Sequence, residues 1–194
     1  MNHLAHTWLA GDDELLRLGG LMGDFVHGRP DPALPANVVA GIRLHRAIDV
    51  FTDSHPEVAA ARARLPGAYR RYGGILLDMW FDHLLAQDFA RWSEQRLEDY
   101  SRRVRDLLHR HEALLPPGLL RFRHYMDAHA LPAGYARPEE MAAAFDGISH
   151  RLRRANPVAE ALPVLTGLDA PLRGHFEVFF PQLRVFAREW IEAQ

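Results

Sequence analysis

Leu77-Asp78-Met79-Trp80-Phe81-Asp82-His83-Leu84-Leu85, residues 77–85, sets Leu77, Trp80, Phe81, Leu84 and Leu85 at the i, i+3, i+4, i+7 and i+8 positions of an α-helix. The same three- and four-residue spacing recurs along the chain, with no sustained alternation, no Asn-Gly hairpin signal and no internal repeat. The pattern predicts an all-α fold, a multi-helix bundle. A short first helix follows Asn2, and a second runs from the Asp12/Asp13 cap signal to about Val26, before the Gly28-Arg29-Pro30-Asp31-Pro32 break. A third spans about Ala36 to Asp53, and Ser54-His55-Pro56-Glu57 reads as a capping-box-like restart. Gly67 and Gly73-Gly74 interrupt the chain before the helix of residues 77–85. Further helices are expected near 93–114, 117–129, 138–150, 157–166 and 171–192, separated at Pro116-Pro117, Pro132, Pro138, Pro157 and Pro171. No break is long or polar enough to be a linker, so residues 1–194 are expected to form one domain.

The chain of 194 residues is 48% hydrophobic and 25% charged. A domain of this size buries roughly 70% of its unfolded surface, so a sizeable core is available. No apolar run approaches the ~18 residues that a membrane span needs, and residues 1–6 lack the basic and apolar regions of a secretion signal. Zero cysteines exclude disulfides, thiolate metal sites and cysteine nucleophiles, and the reducing cytoplasm is the expected compartment. All 23 basic residues are arginine, which also removes Schiff-base lysine chemistry. A net charge of −2 argues against a nucleic-acid footprint.

The helix of residues 77–85 also carries Asp78, Asp82 and His83 where a plain structural helix would carry Leu or Ala. Burying an unpaired carboxylate costs several kcal/mol, so such residues point to a bound cation or a charged network. Asp78 and Asp82 lie one turn apart, as do His45 and Asp49, so each pair shares a helix face. Two carboxylates so placed repel unless a cation or proton relieves them. His83 sits about 100° further round the helix, where it could close a site or orient a ligand. His3 and His6 share a face by i, i+3 spacing, and Asp24 stands in Gly23-Asp24-Phe25-Val26-His27-Gly28, where glycine permits close backbone approach. Imidazoles with several carboxylates suit Mn²⁺, Fe²⁺ or Mg²⁺ better than structural zinc. A single His/Asp pair at this spacing is more often an ordinary ion pair than a ligand pair, which the like-charged Asp78 and Asp82 cannot be; His3 and His6 read equally as ordinary N-terminal polar residues, and for His27, His109, His111, His124, His129 and His175 a plain polar role is expected. Trp8, Trp80, Trp92 and Trp190 read as core or interface aromatics.

Asn2-His3-Leu4-Ala5-His6, Gly23-Asp24-Phe25-Val26, Val39-Ala40-Gly41-Ile42 leading into His45-Arg46-Ala47-Ile48-Asp49-Val50, and Leu77-Asp78-Met79-Trp80-Phe81-Asp82-His83 together resemble the bacterial acyl carrier protein phosphodiesterases. Weaker marks are Tyr125, Tyr135, Ile148-Ser149-His150-Arg151 and Phe179-Phe180-Pro181. The resemblance implies a metal-dependent hydrolase that removes 4′-phosphopantetheine from holo acyl carrier protein, a place in fatty acid and lipid metabolism, an all-helical HD-phosphohydrolase-like fold, and a preference for manganese. The adjacent pair here is Asp82-His83, whereas the familiar HD dyad is His then Asp, so only matching positions carry over.

Phosphodiester hydrolysis needs an in-line activated water and neutralised phosphoryl oxygens, which a divalent ion supplies. The expected shell is Asp24, His45, Asp49, Asp78 and Asp82, with His6 as a further ligand and His83 as a ligand or its orienter. That exceeds one open site, so some of these support the ligands or act as the base, for which Asp82 is preferred. Arg46 is a candidate phosphate clamp, or else a surface ion pair. An acidic carrier protein calls for cationic surface. Arg102 and Arg103 have Glu98 and Asp99 four residues before them, whereas Arg151, Arg153 and Arg154 have no acid at that spacing and form the expected docking cluster. Arg70 and Arg71 are candidates to guide the phosphopantetheine arm. The alternatives are a phosphohydrolase of nucleotides or other small phosphoesters, and a noncatalytic helical partner-binding protein.

Overall fold

Glycine brings two helices into backbone contact at the centre of the molecule. In the computed structural model, which describes residues 1–194, Gly19 of α2 (Glu14–Met22) meets Gly41 of α3 (Ala36–Ser54). A Cβ on Gly41 would lie 2.8 Å from Gly19 Cα and 2.9 Å from the Leu16 carbonyl carbon, closer than any side chain permits. Asp13 caps α2 by accepting the Leu16 N–H at 2.8 Å, as the sequence anticipated. The buried face of α3 reads Val38, Ile42, His45, Ile48 and Thr52, a three- and four-residue repeat with one imidazole in it.

Eleven α-helices and five short 3-10 turns account for the architecture, and there is no strand. α1 (His3–Leu9) packs on α2 and on α6 (Gly73–Gln87). α6 is buried almost all round, from Leu76 and Leu77 through Met79–Ala86, which is what an apolar helix with no polar face must do. α4 (Pro56–Arg64) and the single turn α5 (Gly67–Arg70) lead into it. α7 (Leu97–Arg110), α8 (Pro117–Ala128), α9 (Pro138–Arg151), α10 (Ala161–Gly167) and α11 (Asp169–Glu192) complete the bundle. One hydrophobic cluster of 45 buried residues draws on every helix except α5. Phe176, Phe179 and Phe180 of α11 reach its centre, Phe176 stacking on Phe180 at 4.9 Å and meeting Phe81 of α6 at 5.5 Å. No helix is long and apolar enough to cross a membrane.

Several helix boundaries differ from expectation for local reasons. Gly73 and Gly74 do not interrupt α6 but form its first turn, where helix propensity matters least. α2 ends at Met22 and passes into a 3-10 turn, Gly23–Phe25, rather than running to Val26. The cap of α4 is His55, whose Nδ1 accepts the Glu57 N–H at 3.2 Å; Ser54 belongs to the end of α3. Residues 93–96 precede α7 rather than joining it. Pro171 lies inside the first turn of α11, where its missing N–H removes no helical hydrogen bond.

Candidate functional site

α1, α3 and the 3-10 turn after α2 converge on one group of imidazoles and carboxylates. His6 and His45 stack face to face, centroids 3.7 Å apart and planes 18° apart. Asp49 bridges both: its Oδ1 is 3.1 Å from His6 Nε2 and its Oδ2 is 3.2 Å from His45 Nε2. Asp24 Oδ1 reaches the same His45 Nε2 at 3.4 Å, and its Oδ2 lies 3.7 Å from His3 Nδ1. One potential ligand atom from each of His6, His45 and Asp49 falls within 4.8 Å of the others. His45 Nδ1–H donates to the Gly20 carbonyl at 2.8 Å. A carbonyl can only accept, so this bond fixes the tautomer and aims Nε2 at the two carboxylates. Gly23 is required beside it, because a Cβ there would run into the His45 ring.

Charge in this group is strongly coupled. Burial opposes a proton on His45, but hydrogen bonds to Asp24 and Asp49 and their charges outweigh it and push its pKa up to about 9. Burial and the charge of His45 push His6 down to about 4, against the pull of Asp49. Burial would raise the carboxyls of Asp24 and Asp49, yet the facing imidazoles hold both well below the usual carboxylate range. The group is thus two carboxylates sharing one imidazolium proton, with the neutral His6 alongside. His6 Nδ1 is buried without a hydrogen-bond partner.

Asp24 and His3 also line a cavity of about 720 Å³ between the start of α1, the outer side of α6, α8 and α9. The cluster therefore meets the chamber through Asp24 and His3, while the carboxylates of Asp24 and Asp49 are also partly open to solvent. Comparison with known proteins gives this geometry a context: a sequence model of the family described as acyl carrier protein phosphodiesterase matches residues 1–183.

The chain belongs to the acyl carrier protein phosphodiesterase family.

It is 31% identical over 184 residues to the acyl carrier protein phosphodiesterase of Escherichia coli O157:H7 (strain EC4115 / EHEC), covering 94% of this chain and 95% of that one. It is 31% identical over 190 residues to the protein of that name in Serratia proteamaculans (strain 568), covering 97% and 98%. Over 91 residues it is 50% identical to the one in Photorhabdus laumondii, covering 47% and 46%. No solved structure matches the chain.

Of the residues singled out in this phosphodiesterase-family chain, His6, Asp24, His45 and Asp49 come together, Asp78 lines the same cavity as Asp24 and His3, and Asp82, His83 and Arg46 bond main-chain groups instead. Asp82 is fully buried, and its carboxylate caps α1, accepting from the N–H groups of Asn2 at 3.2 Å, Leu4 at 2.7 Å and Ala5 at 3.2 Å. Burial pushes this carboxyl up to about 7, against the pull of the Met1 ammonium and the three N–H groups. Asp78 accepts from the Met1 ammonium at 2.6 Å. The repulsion expected between these two aspartates is relieved by the N-terminal segment, whose ammonium and N–H groups face both carboxylates. His83 Nδ1–H donates to the Tyr135 carbonyl at 2.6 Å, and its ring lies against Trp80. Arg46 donates to the Val26 carbonyl at 2.7 Å, tethers the chain after the 3-10 turn and makes no ion pair. Among the arginines, Arg151 lines the cavity while Arg153 and Arg154 are exposed. Arg102 pairs with Asp99 at 3.1 Å, Arg103 bonds Gln95, and Arg70 is tied to the carbonyls of Ala63 and Leu65.

Asp82→Ala is expected to destabilise the fold by about 3 kcal/mol, because three helix-terminal N–H groups in the interior lose their acceptor. A shift of the urea midpoint at unchanged slope would show it; an unmoved midpoint would contradict the capping role.

The spacing of the sequence did not reveal Gly20, whose carbonyl orients His45, or Gly23, which makes room for its ring. The signal was present in Gly19-Gly20, two small residues inside a helix that would otherwise favour Leu or Ala, and in Gly23 at the turn that follows it.

Proposed function

We propose that this protein hydrolyses the phosphodiester joining 4′-phosphopantetheine to holo acyl carrier protein, releasing the apo protein, at a divalent metal held by His6, His45, Asp49 and Asp24. The carrying observation is the convergence of two stacked imidazoles on the two oxygens of Asp49, at the edge of the cavity. The donor set fits an ion: ligand atoms of His6, His45 and Asp49 are already within 4.8 Å of one another, Asp24 reaches His45 Nε2 at 3.4 Å, and the Gly20 carbonyl pre-orients His45. Two imidazoles with carboxylates suit Mn²⁺, Fe²⁺ or Mg²⁺, and of these the family resemblance points to Mn²⁺. Such an ion supplies charge neutralisation at the phosphoryl oxygens and an acidified water. Asp49 holds both imidazoles in register, and His3 steadies Asp24 from the cavity side. Asp78, Asp82 and His83 act in this reading through position, by holding α1 and the Tyr135 turn in place. The absence of cysteine suits the reducing cytoplasm.

The test is release of phosphopantetheine from holo acyl carrier protein by protein stripped of metal and resupplied with Mn²⁺, beside a panel of nucleotides under identical conditions. Release confined to the carrier protein and restored by metal supports the reading; hydrolysis of nucleotides alone, or none, overturns it.

Metal uptake should also depend on pH in a defined direction. His45 carries its proton up to about pH 9 without an ion, so binding must displace that proton below that value. Raising the pH removes the competitor, and the apparent Kd for Mn²⁺ should fall about tenfold per pH unit between roughly 6.5 and 8.5, levelling near 9. Titrations at three pH values check it, and a flat series would remove His45 from the ligand set.

A further inference from the structure

The cavity beside the cluster is built by two helix faces of matching period. α8 contributes Gly118, Arg121, Phe122 and Tyr125, and α9 contributes Ala144, Gly147, Ile148 and Arg151, each at i, i+3, i+4, i+7. The two faces turn toward a shared space of about 720 Å³, within the range of small-molecule sites. Arg121 and Arg151 line this space as solvent-exposed side chains, and neither makes an ion pair or side-chain hydrogen bond, so both are free to meet an anion. Asp24 and His3 line the end shared with the cluster, while Asn2 and Tyr135 place an amide and a hydroxyl within the lining. The aromatic rings pack on one another, Phe25 on Phe122 and Phe122 on Tyr125, both at 5.8 Å, with Tyr125 backed by His129 at 4.0 Å. They form a continuous aromatic wall along one stretch of the lining. The matching ligand is a slender chain of apolar and amide groups ending in an anion.

We propose that this cavity receives the pantetheine arm, laid along the Phe122–Tyr125 wall and past Gly147, with Arg121 and Arg151 holding the phosphate end; this rests on the phosphodiesterase reading above. Gly147 is the specificity-determining position. A Cβ there meets nothing within 4 Å, so α9 keeps its face open where a larger residue would fill the chamber. The two guanidiniums recognise the phosphate by charge and paired hydrogen bonds.

The experiment uses Gly147→Phe and Arg151→Gln, with Gly174→Phe as control. Gly174 also has open space around it but sits on α11 away from the cavity. Binding of phosphopantetheine, pantetheine and AMP to chelator-treated protein is measured by calorimetry, after circular dichroism has confirmed the helical fold. Gly147→Phe should weaken phosphopantetheine at least about tenfold while Gly174→Phe does not, because the ring occupies the arm's path. Arg151→Gln should erase most of the preference for phosphopantetheine over pantetheine. Unchanged phosphopantetheine affinity in both cavity variants overturns the proposal, as does AMP binding more tightly than phosphopantetheine. Kinetics separate the two levels of argument: carrier-protein cleavage by wild type with an unaltered KM in Gly147→Phe overturns the cavity assignment alone. No cleavage by wild type fells the function, and the cavity assignment with it.

Discussion

Asp49→Asn is expected to lower kcat/KM by at least about three orders of magnitude while the protein keeps its fold. Asp49 is the one residue that touches both imidazoles, at 3.1 and 3.2 Å, so its charge holds His6 and His45 on a common centre. The amide keeps the shape but loses the charge, and it must turn an N–H₂ toward one of the two rings. A cluster so altered binds a divalent ion poorly, which makes metal content a second readout. The side chain is 43% exposed and bonds no backbone group, but Asn leaves the buried His45 with one counter-charge fewer, so a thermal melt is read beside activity to separate the two effects. Full metal content together with activity within tenfold of wild type would remove Asp49 from the site.

The second large effect is on folding. Gly41→Ala should cost at least about 3 kcal/mol, because the added Cβ meets backbone of α2 rather than a side chain that can rotate away. The two helices must separate, and Leu18, Ile42 and the other core residues between them lose contact. His45 is one turn beyond Gly41, so the same separation pulls its ring from the Gly20 carbonyl. Urea unfolding of Gly41→Ala beside Gly174→Ala makes the comparison within one protein, since the latter lies on an open helix surface and should be neutral or slightly stabilising. Equal midpoints for the two variants would show that the α2–α3 contact is looser than described.

The all-helical class was legible because apolar residues recur at helical spacing in nearly every segment, and α3 and α9 lie within about a residue of their expected ends. Half of the cluster was legible for the same reason. His45 and Asp49 are on one helix, so their i, i+4 spacing is already a three-dimensional statement. Asp82 shows where that reasoning stops. Its repulsion with Asp78 suggested a cation, but a helix N-terminus is also a cluster of positive partial charge, and α1 supplies it from 78 residues away in sequence. His83 and Arg46 misled similarly: each found a main-chain carbonyl, of Tyr135 and of Val26, that no spacing rule announces. Boundaries at residues 73–74 and 93–96 were lost because glycine and polar residues mark the first turn of a helix as readily as its absence.

The proposed ligands all come from residues 6–49, carried by α1, α3 and the turn between Gly23 and Phe25, whereas the chamber's outer wall comes from α8 and α9, residues 117–151. Reactivity and selectivity are thereby encoded in separate stretches of the gene. Exchanging the later stretch between relatives would change the grip on the arm while leaving the proposed ligand residues as they are, a modularity in which one half of the site can drift without rebuilding the other.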